Sequence, residues 1–315
     1  MIDTSQLASR ARSIARGFAV TAATGAAAGV AAAGYGLWEK NQFVLREETL
    51  PILPEGREPF RILHLSDIHF VPRQKAKWEW LRSLADLKPD LVVNTGDNLS
   101  HPKAVDPLLT ALAPLMDFPG VFVPGSNDYY APKLKNPAAY LLGPSKARPD
   151  AEELDWPKLR SGFGMGGWVD LTNRNQSIVL RGMRFDFSGV DDPHLRRERY
   201  AGWPRGTRGQ DSNDHLRIAV IHAPYQRVLD HFTESGADLL LAGHTHGGQL
   251  CIPGYGAIIA NCDIPTWRAK GLYDWNSNGF TTPVNVSGGI GTSRFAPIRI
   301  ACKPEAVLLT LTARG

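Results

Sequence analysis

Ile62-Leu63-His64-Leu65-Ser66-Asp67-Ile68-His69 is a short apolar run, Ile62–Leu65, that breaks off into two side chains able to bind a metal. Asp67 and His69 alternate, so in an extended segment they share one face. The same pattern recurs downstream. Leu91–Asn94 runs into Asp97 and Asn98, and Val121–Pro124 into Ser126, Asn127 and Asp128, with helical stretches Trp78–Leu87 and Val105–Leu115 between them. Apolar runs alternating with helices argue βαβ units and parallel strands buried on both faces. In such sheets ligands gather beyond the carboxyl ends of the strands, where these polar residues fall.

Further along, an insertion is expected over Asn136–Phe163. Strand-like Trp168–Thr172, Ser177–Arg181 and Arg184–Gly189 follow, joined by hairpin-like turns, and suggest a more antiparallel second sheet. Arg217–Ile221 then ends in His222. After a helix over Tyr225–Ser235, the strand Asp238–Leu241 ends in Gly243-His244-Thr245-His246-Gly247-Gly248. Pro283–Ser287 and Ile298–Leu311 are strand-rich, and no internal repeat is visible.

Asp67, His69, Asp97, Asn127, His222, His244 and His246 are hard oxygen or imidazole donors suited to Mn, Fe or Zn. An Asp-x-His pair or a single His is weak evidence by itself, being more often a surface or hydrogen-bonded residue. Separate strand ends that each deliver a ligand type are hard to explain by packing.

Asp67-Ile68-His69, Gly96-Asp97-Asn98, Gly125-Ser126-Asn127-Asp128, His222-Ala223-Pro224 and Gly243-His244-Thr245-His246-Gly247-Gly248-Gln249 resemble, in order and spacing, the signature set of the calcineurin-like metallophosphoesterases. The likeness spans roughly residues 60–312. Within it, Val286-Ser287-Gly288-Gly289-Ile290-Gly291-Thr292 is similar to the C-terminal loop of the bacterial membrane-associated branch. That branch contains cell-envelope phosphodiesterases and enzymes that cleave the pyrophosphate of UDP-diacylglucosamine. The resemblance implies a four-layer αββα sandwich of two mixed β-sheets. It also implies two divalent metal ions (Mn, Fe or Zn), with Asp67, His69 and His246 on one, His222, His244 and an Asn on the other, and Asp97 bridging. Two such ions about 3.5–4 Å apart hold a bridging hydroxide for in-line attack on phosphorus, with no covalent enzyme intermediate.

The third motif departs from the family's usual Gly-Asn-His-Asp or Gly-Asn-His-Glu. Position by position, Ser126 stands at the ligand and Asn127 at the catalytic imidazole. An Asn carbonyl is a better neutral ligand than a Ser hydroxyl, so Asn127 is expected to bind metal and the imidazole to be missing. His101, just before Pro102, is expected at the start of the helix through Val105–Leu115, where it would partly replace that imidazole.

The N-terminus adds a second element. Arg10, Arg12 and Arg16 precede 22 consecutive uncharged residues, Gly17 to Trp38, closed by an aromatic group, Tyr35 to Trp38. As a helix this run spans about 33 Å, enough for a bilayer core, and the arginines place the N-terminus inside and the rest outside the cytoplasm. It reads as a membrane-spanning signal anchor, although Ala31-Ala32-Ala33 resembles a signal-peptidase site and the Ala and Gly content also fits a packed helix. The expected division is an N-terminal segment at 1–38, a Pro- and Gly-containing linker at 39–59 and a catalytic domain at 60–315.

Composition limits partners. Lys plus Arg (35) exceed Asp plus Glu (31) by four, too mild an excess for a nucleic-acid surface, and Arg196-Arg197-Glu198-Arg199 reads as a solvated helix face. Cys251, Cys262 and Cys302 form no Cys-x-x-Cys unit; a Cys251–Cys262 bridge and buried free thiols both fit. The expected substrate is a phosphodiester or pyrophosphate at a membrane face, lipid-linked head groups included. The rival readings are a degenerate metal-binding scaffold, a nuclease or a protein phosphatase.

Overall fold

The computed structural model describes Ala27 and residues 29–133, 151–204, 215–292 and 294–314. Sheet one begins with β1 (Val44–Leu53), β2 (Phe60–Leu65), β3 (Leu91–Asn94), β4 (Gly120–Phe122) and β5 (Val169–Asp170). Sheet two follows with β6 (Arg174–Leu180), β7 (Met183–Gly189), β8 (His215–Val220) and β9 (Leu239–Ala242). A small hairpin of β10 (Cys251–Ile252) and β11 (Gly256–Ala257) precedes β12 (Gly271–Ser277) and β13 (Phe280–Val286), which complete sheet two. Finally β14 (Glu305–Ala313) returns to sheet one, between β1 and β2.

Both sheets are mixed. In sheet one, β2, β3, β4 and β5 run parallel while β14 lies antiparallel to β2. In sheet two, β7, β8, β9 and β13 are parallel, flanked by antiparallel β6 and β12. β3, β4 and β9 are buried along their whole length, which is why Leu91–Asn94 and Leu239–Ala242 read as apolar runs. Arg181 and Gly182, both at positive φ, form the two-residue turn that pairs Leu180 with Met183, a geometry that matches strand twist.

Helices cover the outer faces. α1 (Lys75–Ser83), α2 (Val105–Leu112), a single turn α3 (Ser126–Tyr129) and α4 (Trp156–Met165) belong to sheet one, and α5 (Gln226–Glu234) to sheet two. In α2 the buried residues are Val105, Leu108, Ala111 and Leu112, one stripe at helical spacing, and in α5 they are Val228, Leu229, Phe232 and Thr233. The core accordingly divides into three clusters: helices on sheet one, sheet on sheet, and α5 on sheet two. The middle cluster fixes the two sheets face to face; Phe60 of β2 and Phe185 of β7 meet there with ring centroids 4.5 Å apart. Removing one such buried ring costs about 3–5 kcal/mol.

Several boundaries differ from the sequence reading. Residues 39–59 are not mainly linker: Val44–Leu53 is an edge strand paired in parallel with β14. Its charges hid it, since Arg46 turns inward to Glu305 and Asn285, and Pro51 is tolerated because the outer edge needs no donor. Ile298–Leu311 is strand only from Glu305. β12 and the β10–β11 hairpin had no clear period-2 signal. Most of the expected Asn136–Phe163 insertion lies outside the described residues; its described end forms α4, capped by the Asp155 side chain.

Half of the Gly17–Trp38 run also lies outside the described residues. Residues 29–39 are helical and dock through Gly36, whose carbonyl accepts from the Arg299 amide at 3.2 Å. Among the described residues no helix is long and apolar enough to cross a membrane.

Candidate metal centre

Strands from both sheets end at one seam. Asp67 and His69 follow β2, Asp97 follows β3, His222 follows β8, and His244 and His246 follow β9. Two groups of ligand atoms gather there, Asp67 with His69 and His246, and Asp67 with Asp97 and His222, the atoms of each lying within 4.8 Å of one another. Asp97 stands between the imidazoles. Its Oδ2 is 3.5 Å from His69 Nε2 and its Oδ1 is 3.5 Å from His222 Nε2. His69 and His246 face each other Nε2 to Nε2 at 3.2 Å, and His244 Nδ1 faces His222 Nε2 at 3.3 Å.

The backbone is bent to achieve this. Asp67, His69, Asp97, His244 and His246, five of the seven residues singled out from the sequence, have φ between 43° and 69°. That region is rare for residues with a Cβ, and its strain is sustained by the surrounding structure. Two glycines make room: a Cβ on Gly243 would lie 1.8 Å from Ser66 Oγ, and one on Gly125 would lie 2.3 Å from Asp97 Oδ1.

Neighbouring acceptors aim the rings. His222 Nδ1 lies 2.7 Å from the Thr95 carbonyl, His69 Nδ1 2.9 Å from Ser100 Oγ, and His244 Nε2 3.3 Å from the Asn261 carbonyl. With an N–H donated to each, the opposite nitrogen points a lone pair into the cluster, as metal-binding histidines require.

The electrostatics are those of a site built for cations. Asp67, His69, Asp97, His222, His244 and His246 are all buried. Burial pushes the Asp67 carboxyl up to about 6, with Asp97 adding to the rise. Burial also lowers His69 to about 4 and holds His244 and His246 well below the usual imidazole range. At His222 burial opposes the cation, but Asp97, Asp192 and Asp67 outweigh it and raise the group to about 9. Asp67 Oδ1 is buried without a hydrogen-bond partner, 3.6 Å from His246 Nε2. An orphaned carboxylate oxygen beside the His246 imidazole, which burial keeps neutral, costs free energy unless a cation meets it, so the donor set fits divalent metal ions.

Asn127 reaches Asp97 twice, its backbone N–H donating to Oδ1 at 2.7 Å and its side-chain amide to Oδ2 at 2.8 Å. Among the described residues no hydrogen bond joins Ser126 Oγ to Asp97 or the histidines; it accepts from the Asn127 amide at 3.4 Å. Asp128 ties the motif together, accepting from the backbone N–H groups of Gly125, Asp97 and Asn98. His101 is placed differently from expectation. Its Nδ1 accepts from the Lys103 amide, α2 begins only at Val105 with Ala104 as its cap, and among the described residues no hydrogen bond or ring contact ties His101 to the cluster.

Other residues at the site had no sequence signal. Arg299, fully buried, donates to the carbonyls of His246, Gly288, Gly289, Gly291 and Cys302, and so holds the 288–291 turn against the ligands. His194 lies with its ring centroid 4.9 Å from that of His244. Arg196-Arg197-Glu198-Arg199 is not a helix: Arg197 sits over the Tyr129 ring at 4.5 Å and donates to Tyr130 Oη at 2.7 Å. The three cysteines are free thiols.

Two mixed sheets face to face, with carboxylates and imidazoles converging from the strand ends of both, define a metal-dependent phosphoester hydrolase. The chain belongs to the calcineurin-like phosphoesterase family, whose pattern matches residues 60–248. It is similar to the metallophosphoesterase YkuE of Bacillus subtilis, 29% identical over 92% of this chain and 93% of that protein. It is likewise similar to the phosphodiesterase YaeI of Escherichia coli, 26% identical over 87% of this chain and 90% of that one. A Bos taurus transmembrane protein with metallophosphoesterase domain is 28% identical over 83% of this chain and 55% of its own length.

Proposed function

We propose that this chain hydrolyses phosphodiester or pyrophosphate bonds by direct transfer to water. Two divalent ions would be held by Asp67, His69 and His246 on one side and by His222, His244 and Asn127 on the other, with Asp97 shared. The observation that carries the reading is Asp97, which turns one oxygen to His69 and the other to His222, both at 3.5 Å. When bound, the ions supply Lewis-acid chemistry, making water nucleophilic near neutral pH and neutralising phosphoryl oxygens. The chain's own residues fix imidazole tautomers through Thr95, Ser100 and Asn261 and keep the ligands buried from solvent.

The purified full chain supplied with Mn²⁺ is expected to hydrolyse bis(p-nitrophenyl) phosphate and to hold about two ions per chain. Folded protein that binds no divalent metal and hydrolyses nothing would instead mark a scaffold on a phosphoesterase fold.

The substrate is assigned to a membrane face. Support comes from the uncharged Gly17–Trp38 run behind Arg10, Arg12 and Arg16. On the helix of residues 29–39, Val30, Tyr35, Leu37 and Trp38 are exposed at 75%, 45%, 44% and 54%, an apolar surface suited to lipid. The bovine relative's name adds to the case. A reporter fused after Gly315 is expected to work only in its exported form; a cytoplasmically active fusion would reject the topology.

A further inference from the structure

We propose that His194 is the imidazole that meets the leaving group, taking the place that the third motif leaves empty. The proposal rests on the hydrolase reading above and deepens it. Gly125-Ser126-Asn127-Asp128 offers no imidazole, and its Asn127 side chain is turned to Asp97. An imidazole arrives from the other sheet instead.

The topology explains how. β7, β8 and β9 are parallel neighbours in sheet two, so their carboxyl ends open on the same edge. β8 and β9 deliver His222 and His244, and beyond β7 the chain enters Asp191-Asp192-Pro193-His194. Asp192 caps this turn by accepting the His194 N–H at 2.8 Å, which fixes the backbone. The ring stacks on Tyr225, with Nδ1 3.0 Å from Tyr225 Oη, and lies 4.9 Å from the His244 ring. If Tyr225 O–H donates to Nδ1, the ring hydrogen is on Nε2. Unlike His222 and His244, which are buried, His194 is half-buried, so part of its ring is open to solvent.

The step balances without a further reagent. Water adds its oxygen to phosphorus, the P–O bond to the alcohol breaks with its electron pair on the leaving oxygen, and the water's second hydrogen ends on the alcohol. His194 N–H donates a hydrogen bond to that oxygen as its charge grows, a contact stronger in the transition state than before it.

The test uses the full chain loaded with Mn²⁺ and phosphodiesters graded from p-nitrophenyl to phenyl to alkyl leaving groups. His194→Ala is expected to slow the alkyl ester by ~10²-fold or more, with p-nitrophenyl ester turnover changed by less than about threefold and metal content unchanged. His194→Gln, which keeps an N–H donor, is expected to recover part of the loss, and His101→Ala to change all leaving groups by one common factor. Equal losses on good and poor leaving groups, loss of bound metal in His194→Ala, or a leaving-group dependence that follows His101 instead would each overturn the assignment. A metal-loaded wild-type chain inactive on every ester would remove the hydrolase reading, and this proposal with it. Activity that responds to Asp97 but not to His194 would remove this proposal alone.

Discussion

Sheet one brings mainly oxygen to the seam and sheet two mainly nitrogen. Asp67, Asp97 and Asn127 lie beyond β2, β3 and β4, with His69 beside them, whereas His222, His244 and His246 lie beyond β8 and β9. Neither half is a site alone. His222 is oriented by Thr95 of sheet one, and Asp67 of sheet one accepts the His244 amide of sheet two at 2.8 Å. The site is therefore a property of how the sheets face one another, which the middle core cluster fixes. Metal affinity and sheet packing should be linked, since ions that bind only the folded pairing stabilise it by mass action.

The sharpest break is Asp97→Asn. The change keeps the shape but removes the negative charge that serves both sides, so bound metal should fall on both and turnover should drop by ~10³-fold or more, beyond the 10–100-fold typical of residues behind the ligands. Metal analysis checks this. Retention of a full complement would show that the two halves do not share Asp97.

Next in size is Gly243→Ala, which tests the seam itself. The added Cβ would lie 1.8 Å from Ser66 Oγ and 2.6 Å from Asp67 Oδ2. Overpacking of this kind costs about 3 kcal/mol or more, read by denaturant unfolding. Ser66→Gly combined with Gly243→Ala should recover much of that loss if the clash between sheets is its cause.

A smaller effect separates the halves. His69 is steadied by a side chain, Ser100, and His222 by a backbone carbonyl, while His244 Nε2 lies 3.3 Å from the Asn261 backbone carbonyl with the Asn261 side-chain amide beside it at 3.4 Å. Ser100→Ala should weaken metal binding by ~10–100-fold. Asn261→Ala keeps its carbonyl and should weaken binding less. Equal effects would mean that side-chain and backbone acceptors orient these rings through some common route.

This asymmetry also governs what could be read from the chain. β3 and its Asp97 stood out because a fully buried strand is an unbroken apolar run ending abruptly in a polar loop. The paired motifs were legible for the same reason, as alternation and flanking glycines survive without any structure. His194 and Arg299 were not, because each acts across a distance that sequence separation conceals: His194 reaches a ring 50 positions away and Arg299 a carbonyl 53 positions away. β1 was missed because Arg46 and Glu48 looked like linker charges, yet they pair with each other and Arg46 with Glu305. Nor could periodicity show that Asp67, His69, Asp97, His244 and His246 adopt positive φ, since that strain is imposed by the assembled seam.

The smallest expected effect concerns a second link between the sheets, away from the ions. His64 on β2 is buried, its Nε2 3.0 Å from Thr95 Oγ1, and its Nδ1 accepts from the Asn285 amide of β13 at 2.9 Å. Asn285 in turn accepts from Arg46 at 3.0 Å. A proton on His64 Nδ1 would face an N–H donor, and burial together with the Arg46 charge pushes the group down to about 3. The folded state thus holds His64 neutral while the unfolded chain takes up a proton near pH 6.5. A depressed imidazole pKa contributes stability that is present above pH 6.5 and is lost as the pH falls toward 3, at up to about 1.4 kcal/mol per pH unit. His69, His244 and His246 at the seam lose stability in the same direction, so the informative quantity is the difference between wild type and His64→Gln, which keeps a donor and an acceptor but does not titrate. Denaturant unfolding from pH 7 to pH 4 should show a shallower acid limb in His64→Gln. If both proteins lose stability with the same slope, His64 is not a pH-sensitive link, and acid opens the molecule only where the histidines and carboxylates of the two sheets meet.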